Sequence, residues 1–315
     1  MLLWPRAFSW PAGRGRRVQG GTFLNKAVAA GVGIIVAFAA VLTFLIFDRT
    51  EESGLERIQR TGSIRIGYAV EQPYAFAGQD GSVTGESIEI ARYVASRLQV
   101  PQVLWVQVEF GSLIAELNAR RIDVIAAGMF ITPERARQVA FSEPTFHVAQ
   151  SLLVVHGNPL KLHAYEDFAA RPQIKVAVLQ GAIERDMLIE AGAAPEQILE
   201  VPDARNGVIA VASGLVAGLA LSEVTVATLA TANGMRRLEA ARPFRQPFLA
   251  GSASHGYGAF AFRRTDRDLL DAWNRELKDF VGSDRHRRLL ERFGLSANML
   301  PGDMSTARIL GRGKE

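Results

Sequence analysis

Apolar residues recur along this chain with two alternating periods. Ser63–Tyr68 reads as a strand, 76–85 as a hairpin-like loop around Gln79-Asp80-Gly81, and 86–98 as a helix with Ile88, Ala91, Val94, Ala95 and Leu98 on one face. A strand over 103–109 follows, then a helix capped by Ser112 with Leu113, Ile114 and Leu117 inward, then a strand over 122–127. A long extended run occupies 147–155. Beyond Gly157-Asn158-Pro159 the alternation restarts, with strands predicted at 174–179, Ile198–Val201 and 215–221 and helices at 182–190, 205–213 and 223–232. A second extended run, 256–262, precedes two helices near 266–281 and 284–293. Strands alternating with helices predict largely parallel α/β sheets. Two such lobes, with two extended runs available to cross between them, predict a cleft that closes about a hinge.

The first 50 residues break this pattern. Residues 27–47, AVAAGVGIIVAFAAVLTFLIF, are 21 uncharged positions in a row, enough to span a bilayer as one helix. Arg6, Arg14, Arg16, Arg17 and Lys26 precede the run; Asp48, Glu51 and Glu52 follow it. This asymmetry places a basic 1–26 tail in the cytoplasm and everything after 50 in the periplasm or outside the cell. Ala37-Phe38-Ala39 resembles a cleavage site, but the apolar run continues past it, so a retained single-pass membrane anchor is favoured over a cleaved signal peptide. Residues 48–57 read as a linker.

The formal charge of +4 belongs to that basic tail. Five of the 36 Lys and Arg lie in residues 1–26, which hold no acid, leaving 31 against 32 Asp and Glu in the body. A near-neutral body gives no electrostatic case for nucleic acid as a partner. The 315 residues, 48% hydrophobic, fill one or two ordinary cores. There is no cysteine, which excludes disulfides, thiolate-bound zinc and a lipidated N-terminal Cys. The five histidines show no metal-ligand spacing, 251–255 is not a nucleophile elbow, and Gly31-Val32-Gly33 lies inside the apolar run. No metal, cofactor or catalytic constellation is expected.

Candidate chemistry collects at strand ends, which line the ligand crevice of α/β sheets. From Ala126 to Arg135 an apolar strand passes through Gly128 into a helix start, with Thr132 as N-cap, Pro133 at the first helical position and Arg135 in the first turn. Free amides, the positive helix end and a guanidinium fork would converge on a carboxylate or phosphate. The alternative is a capped helix with a solvated Arg. Glu71 and Tyr74 follow the first strand, Phe110 the second, and Phe130, Thr132 and Arg135 the third. Aromatic faces attract a cation by about 0.5–2 kcal/mol each, and Arg135 attracts an anion, so one pocket offering both suits a small zwitterion. Phe110 and Phe130 also read as core residues. The second lobe offers Gly181, Ala182 and Ile183 at a strand-to-helix turn, and Glu223, which reads either as a contact for a ligand cation or as a helix-start acid.

Several segments resemble family 3 solute-binding proteins of ABC importers over roughly 56–300: Gly62-Ser63-Ile64-Arg65-Ile66-Gly67, Phe110-Gly111-Ser112-Leu113-Ile114, Arg121-Ile122-Asp123, Gly128-Met129-Phe130-Ile131-Thr132-Pro133-Glu134-Arg135 and Phe141-Ser142-Glu143-Pro144. The resemblance implies a type II periplasmic binding protein fold. Lobe one would span 58–152 and 257–300, lobe two 157–253, with a tail at 301–315. It also implies that Arg135 clamps a ligand carboxylate, that Thr132 adds a hydrogen bond, and that an ABC permease and ATPase are partners. Within the family, Glu71-Gln72-Pro73-Tyr74-Ala75, His163-Ala164-Tyr165-Glu166-Asp167, Pro202-Asp203-Ala204 and Gly256-Tyr257-Gly258-Ala259-Phe260 look most like ectoine/hydroxyectoine-binding proteins. In those, rings at the Tyr74, Phe110 and Phe130 positions enclose a delocalised cation beside an acid at the Glu71 position. The expectation is therefore a tethered binding protein for an ectoine-like zwitterion rather than an enzyme. An amino-acid binder on the same fold is the alternative, and an acid reaching the ligand ammonium from lobe two would favour it. A dehydratase on this fold would need a catalytic acid beside Arg135, for which Glu71 is the candidate. A sensor input or peptidoglycan-lysing relative would carry further domains.

Overall fold

The computed structural model describes residues 52–231, 237–247 and 255–311; the basic tail and the apolar run at 27–47 lie outside them. Among the described residues no helix is long and apolar enough to cross a membrane. From Ser53 onward the chain forms one compact unit.

The unit opens with α1 (Gly54–Thr61), which has a clear start and stop. Ser53 and Glu56 form a reciprocal capping box, and Gly62 ends the helix in the left-handed region at φ 65°. The chain then enters β1 (Ser63–Tyr68), whose Ile64 and Ile66 are fully buried. A hairpin of β2 (Phe76–Ala77) and β3 (Val83–Thr84) leads to α2 (Glu86–Arg97). Next come β4 (Gln102–Gln107), α3 (Leu113–Asn118), β5 (Val124–Ile125), the single turn α4 (Arg135–Gln138) and β6 (Ala140–Phe141). Two further strands, β7 (Phe146–Val148) and β8 (Gln150–Val155), follow directly.

The second lobe continues with α5 (Glu166–Ala169), β9 (Val176–Leu179), α6 (Glu184–Glu190), β10 (Ile198–Val201), α7 (Ala204–Ala212), β11 (Gly218–Ser222), α8 (Glu223–Thr231) and β12 (Leu238–Ala240). The chain returns through β13 (Gly256–Gly258) and β14 (Ala261–Phe262). It ends in α9 (Arg267–Phe280), α10 (Asp284–Arg292) and the short α11 (Thr306–Ile309).

One sheet has the order β4-β1-β5-β14-β6, the other β10-β9-β11-β8-β12. The first three strands of each are parallel, and the strands that arrive from the other lobe join antiparallel. Between the sheets β7 pairs with β13, Tyr257 opposite His147. These two segments run straight on into β8 and β14, one into each sheet. They are the two crossings that the extended runs predicted, and the doubly lobed α/β architecture follows from them.

Several boundaries move. The run at 147–155 divides at Ala149, and β8 pairs with β11, so residues 150–152 belong to the second sheet rather than to lobe one. The strand expected at 122–127 is regular only at Val124–Ile125; at its start the Asp123 carboxylate takes the Arg65 N–H at 2.9 Å, while Asp123 N–H and Ala126 N–H still donate to Arg65 O and Gly67 O. The strand expected from 215 starts at Gly218, and Leu215 is 62% exposed. Within the 301–315 tail, α11 docks on lobe one, with the Thr306 hydroxyl donating to Ser142 O at 2.5 Å. Buried Trp273 packs its ring against Phe260 and Phe262, fixing α9 over the first sheet. Each such side chain contributes roughly 1.5–3 kcal/mol through burial.

Candidate functional site

The carboxyl ends of β1, β5, β9 and β11 face one another across the gap between lobes. A cavity of about 30 Å³ lies there, lined by Glu71, Tyr74, Phe110, Gly128, Phe130 and Arg135 from lobe one and by Leu179, Ala182, Ile183, Glu184, Leu221 and Ser222 from lobe two. Thus the three rings, the carboxylate and the guanidinium expected to converge do meet, and Ala182 and Ile183 face them. A groove of about 750 Å³ also borders Arg135, lined among others by Phe110, Thr132, Pro133, Gly181, Arg185 and Glu200. Solute pockets run to a few hundred Å³, so the inner cavity admits a solute only if the lobes part.

Local backbone makes room for the rings. Gly128 sits at φ 61°, and a Cβ there would come within 2.6 Å of the Tyr74 ring. Cβ atoms at Gly256 and Gly258 would collide with the rings of Phe130 and Phe146. Tyr74 stacks on Phe146 at 5.0 Å, and Phe130 meets Phe146 edge-on at 6.5 Å. Phe146 is therefore the buried support of the aromatic wall, a role its place just before an extended run did not reveal.

Arg135 is 9% exposed, with its guanidinium 5.4 Å from the Phe110 ring. Its NH1 donates to Phe130 O at 2.9 Å and its NH2 to Gly181 O, across the cleft, at 3.0 Å. The helix carrying it is a single turn, too short for an appreciable dipole, so the anion attraction expected of this region rests on the guanidinium. The helix starts two residues later than expected, with Glu134 rather than Thr132 at its N-cap position and Pro133 in the preceding turn; the Thr132 hydroxyl closes that turn by accepting from Arg135 N–H at 3.1 Å, and Thr132 does not line the inner cavity. Gly181 approaches Gly111 so closely that a Cβ on it would lie 2.9 Å from Gly111 Cα. The Ala182 N–H is already given to Leu179 O at 3.0 Å, so that turn offers fewer free amides than expected.

Glu223 is elsewhere. Its carboxylate accepts from Ala149 N–H at 3.1 Å while its own N–H donates to Ala149 O, fastening α8 to the crossing strand. The helix-start reading of that acid holds, and lobe two instead presents Glu184, which is 4% exposed. Burial pushes the Glu184 carboxyl up to about 7, opposed by its own backbone amide and by Arg135. Glu71 is likewise raised to about 7 by burial; the Thr225 hydroxyl opposes this shift and Glu184 adds to it. Glu184 was not singled out in the sequence because an acid at a helix start needs no ligand to explain it. Its place three residues after Gly181 was the only available signal.

Residues 64–296 match the bacterial extracellular solute-binding proteins, family 3. A probable amino-acid ABC transporter periplasmic-binding protein of Sinorhizobium fredii is 35% identical over 265 residues, covering 83% of this chain and 87% of that protein. Among solved structures, EhuB in complex with hydroxyectoine is 29% identical with a TM-score of 0.75, covering 82% of this chain and 98% of the other. An ancestral amino acid-binding protein described as a precursor of cyclohexadienyl dehydratase is 27% identical with a TM-score of 0.67, covering 76% and 99%.

Proposed function

The chain belongs to the bacterial extracellular solute-binding proteins of family 3, and on that premise we propose that its cleft captures a small zwitterion with a compact cation, ectoine or hydroxyectoine first among them. At the coarser level it is the substrate-binding component of an ABC transporter for amino acids or similar small solutes, working outside the cytoplasm with permease and ATPase subunits. We retain the 27–47 anchor within the proposal, as a tether that keeps the cleft near the permease.

The observation that carries the solute class is the enclosure of one cavity by Tyr74, Phe110 and Phe130 together with Glu71 and Arg135. The ring faces and Glu71 suit a delocalised cation. Arg135 suits a carboxylate, which replaces the carbonyls of Phe130 and Gly181 as acceptor for its two N–H groups. The solute first docks on lobe one, which supplies all five groups. Closure about the paired β7 and β13 then adds Ala182, Ile183 and Glu184. The hydroxyectoine-bound neighbour supports this choice of solute.

A second reading has a specific observation behind it. Glu184 brings a buried carboxylate from lobe two, the place from which an acid would meet an amino-acid ammonium. Calorimetric titration with ectoine, hydroxyectoine and a panel of polar amino acids separates the two. Binding of ectoine alone supports the first reading; binding of an amino acid alone transfers the proposal to the second; binding of none defeats both. Arg135→Ala should abolish binding of whichever solute is found, and unchanged affinity would sink the clamp assignment.

A further inference from the structure

The lobes also meet through a row of hydroxyls. Glu71 and Tyr74 belong to one turn of lobe one, closed by Tyr74 N–H donating to Glu71 O at 2.9 Å. Opposite them, Ser222 ends β11 and Thr225 lies in the first turn of α8, with Thr225 N–H donating to Ser222 Oγ at 3.3 Å. Between the lobes, the Thr225 hydroxyl donates to Glu71 Oε1 at 2.8 Å. The hydroxyls of Ser222 and Thr225 are 3.0 Å apart, and those of Tyr74 and Ser222 are 2.9 Å apart.

Proton counting gives this row a direction. Each hydroxyl has one proton to donate. With Glu71 ionised, Thr225 gives its proton to Glu71, so the contact between Ser222 and Thr225 must be donated by Ser222. The proton of Ser222 is then used, so Tyr74 donates to Ser222. The row therefore runs Tyr74, Ser222, Thr225, Glu71 and ends on a carboxylate, the arrangement in which successive hydrogen bonds strengthen one another. Thr225 is fully buried, Tyr74 is 2% exposed and Ser222 3%, so the three hydroxyls are shielded from bulk water.

We propose that Ser222 and Thr225 are positioning residues of the cleft: they latch lobe two to lobe one in the closed form and aim the Glu71 carboxylate at the cation of the bound solute. Retention of a cation-bearing solute then depends on two residues of lobe two that act through lobe one. The part concerning the cation rests on the proposed function; the latch itself does not.

The test uses the full-length protein in detergent, with Thr225→Val, Thr225→Ser and Ser222→Ala. A hydrogen bond to a charged group is worth about a factor of ten in an equilibrium. In stopped-flow measurements with the solute found by calorimetry, Thr225→Val should release it about tenfold faster while capturing it at the wild-type rate, because docking on lobe one precedes the latch. Ser222→Ala should act in the same direction, and Thr225→Ser should restore slow release. Wild-type release from Thr225→Val, or equally fast release from Thr225→Ser, overturns the proposal. A second arm needs no solute. The chain has no cysteine, so spin labels at Ser96→Cys on α2 and Ile209→Cys on α7, both exposed, report the distance between lobes. Thr225→Val should shift that distribution toward the open form, and identical distributions overturn the latch. If no solute binds the wild type, the proposed function fails while this second arm still decides.

Discussion

Glu86→Gln isolates the energetic cost of holding an acid beneath the cleft. Glu86 is fully buried at the start of α2. Ser87 Oγ donates to one carboxyl oxygen at 2.7 Å, and Thr145 Oγ1 donates to the other at 3.2 Å. Burial nevertheless dominates and pushes the carboxyl up from 4.5 to about 7, the two hydroxyls opposing the shift. Between those values the folded protein keeps a proton that the unfolded chain releases. The stability contributed by Glu86 is therefore full below pH 4.5, declines as pH rises, and is lost as pH passes through 7. A shift of about 2.5 units corresponds to about 3 kcal/mol, most of it spent between pH 5 and pH 8. Glutamine is neutral throughout and has no such slope. Urea unfolding of the 53–315 unit at pH 5, 6, 7 and 8 would measure both proteins. Titration of Glu71 and Glu184 cancels in the difference between them. The variant should gain on the wild type by about 2.5 kcal/mol across that range, from near parity or slight deficit at pH 5. A difference that stays constant with pH, within an error of about 0.5 kcal/mol, would refute the assignment of a buried proton to Glu86.

Three other outcomes follow from the same geometry. Gly128→Ala combines a left-handed backbone, costing about 1–2 kcal/mol, with a Cβ pressed into the Tyr74 ring. Both the urea midpoint and the solute affinity should fall, and a lower midpoint with unchanged affinity would place that ring outside the ligand contact. For Glu184, raised to about 7 mainly by burial, a solute cation needs the ionised form. Affinity should then weaken below pH 7 by up to about tenfold per pH unit for each of Glu184 and Glu71, which is also raised to about 7, and Glu184→Gln should remove its share and leave that of Glu71; equal pH profiles would remove Glu184 from the site. Asp123 is fully buried against Arg57, Arg65 and Arg263 at 2.6, 2.8 and 3.3 Å. Asp123→Ala should cost about 3–5 kcal/mol in unfolding free energy, and a loss below about 1 kcal/mol would show that the arginines re-pair locally.

The sequence alone determined the alternation of strands and helices, the two crossings and the loops that follow the strands of lobe one. Each of these is written in local spacing: a period of two or of 3.6 states which face of an element is buried. Arg135 was legible because Thr132 and Pro133 signal a helix start close by, although the helix begins two residues later than they predict, and Glu71, Tyr74, Phe110 and Phe130 because they stand just beyond strands. Periodicity does not state which surface of the other lobe will face them. Tyr74 and Ser222 are 148 residues apart, and Glu71 and Thr225 are 154 apart. Only the tertiary structure made Ser222 and Thr225 partners of the cleft, turned Glu184 inward and Glu223 toward Ala149, and placed Phe146 behind the rings. Two helix-start acids, Glu184 and Glu223, look alike in sequence. The one packed against the opposite lobe carries a carboxyl raised to about 7, while the other fastens the crossing strand, because burial across an interface is a property of the pair of surfaces and not of either segment.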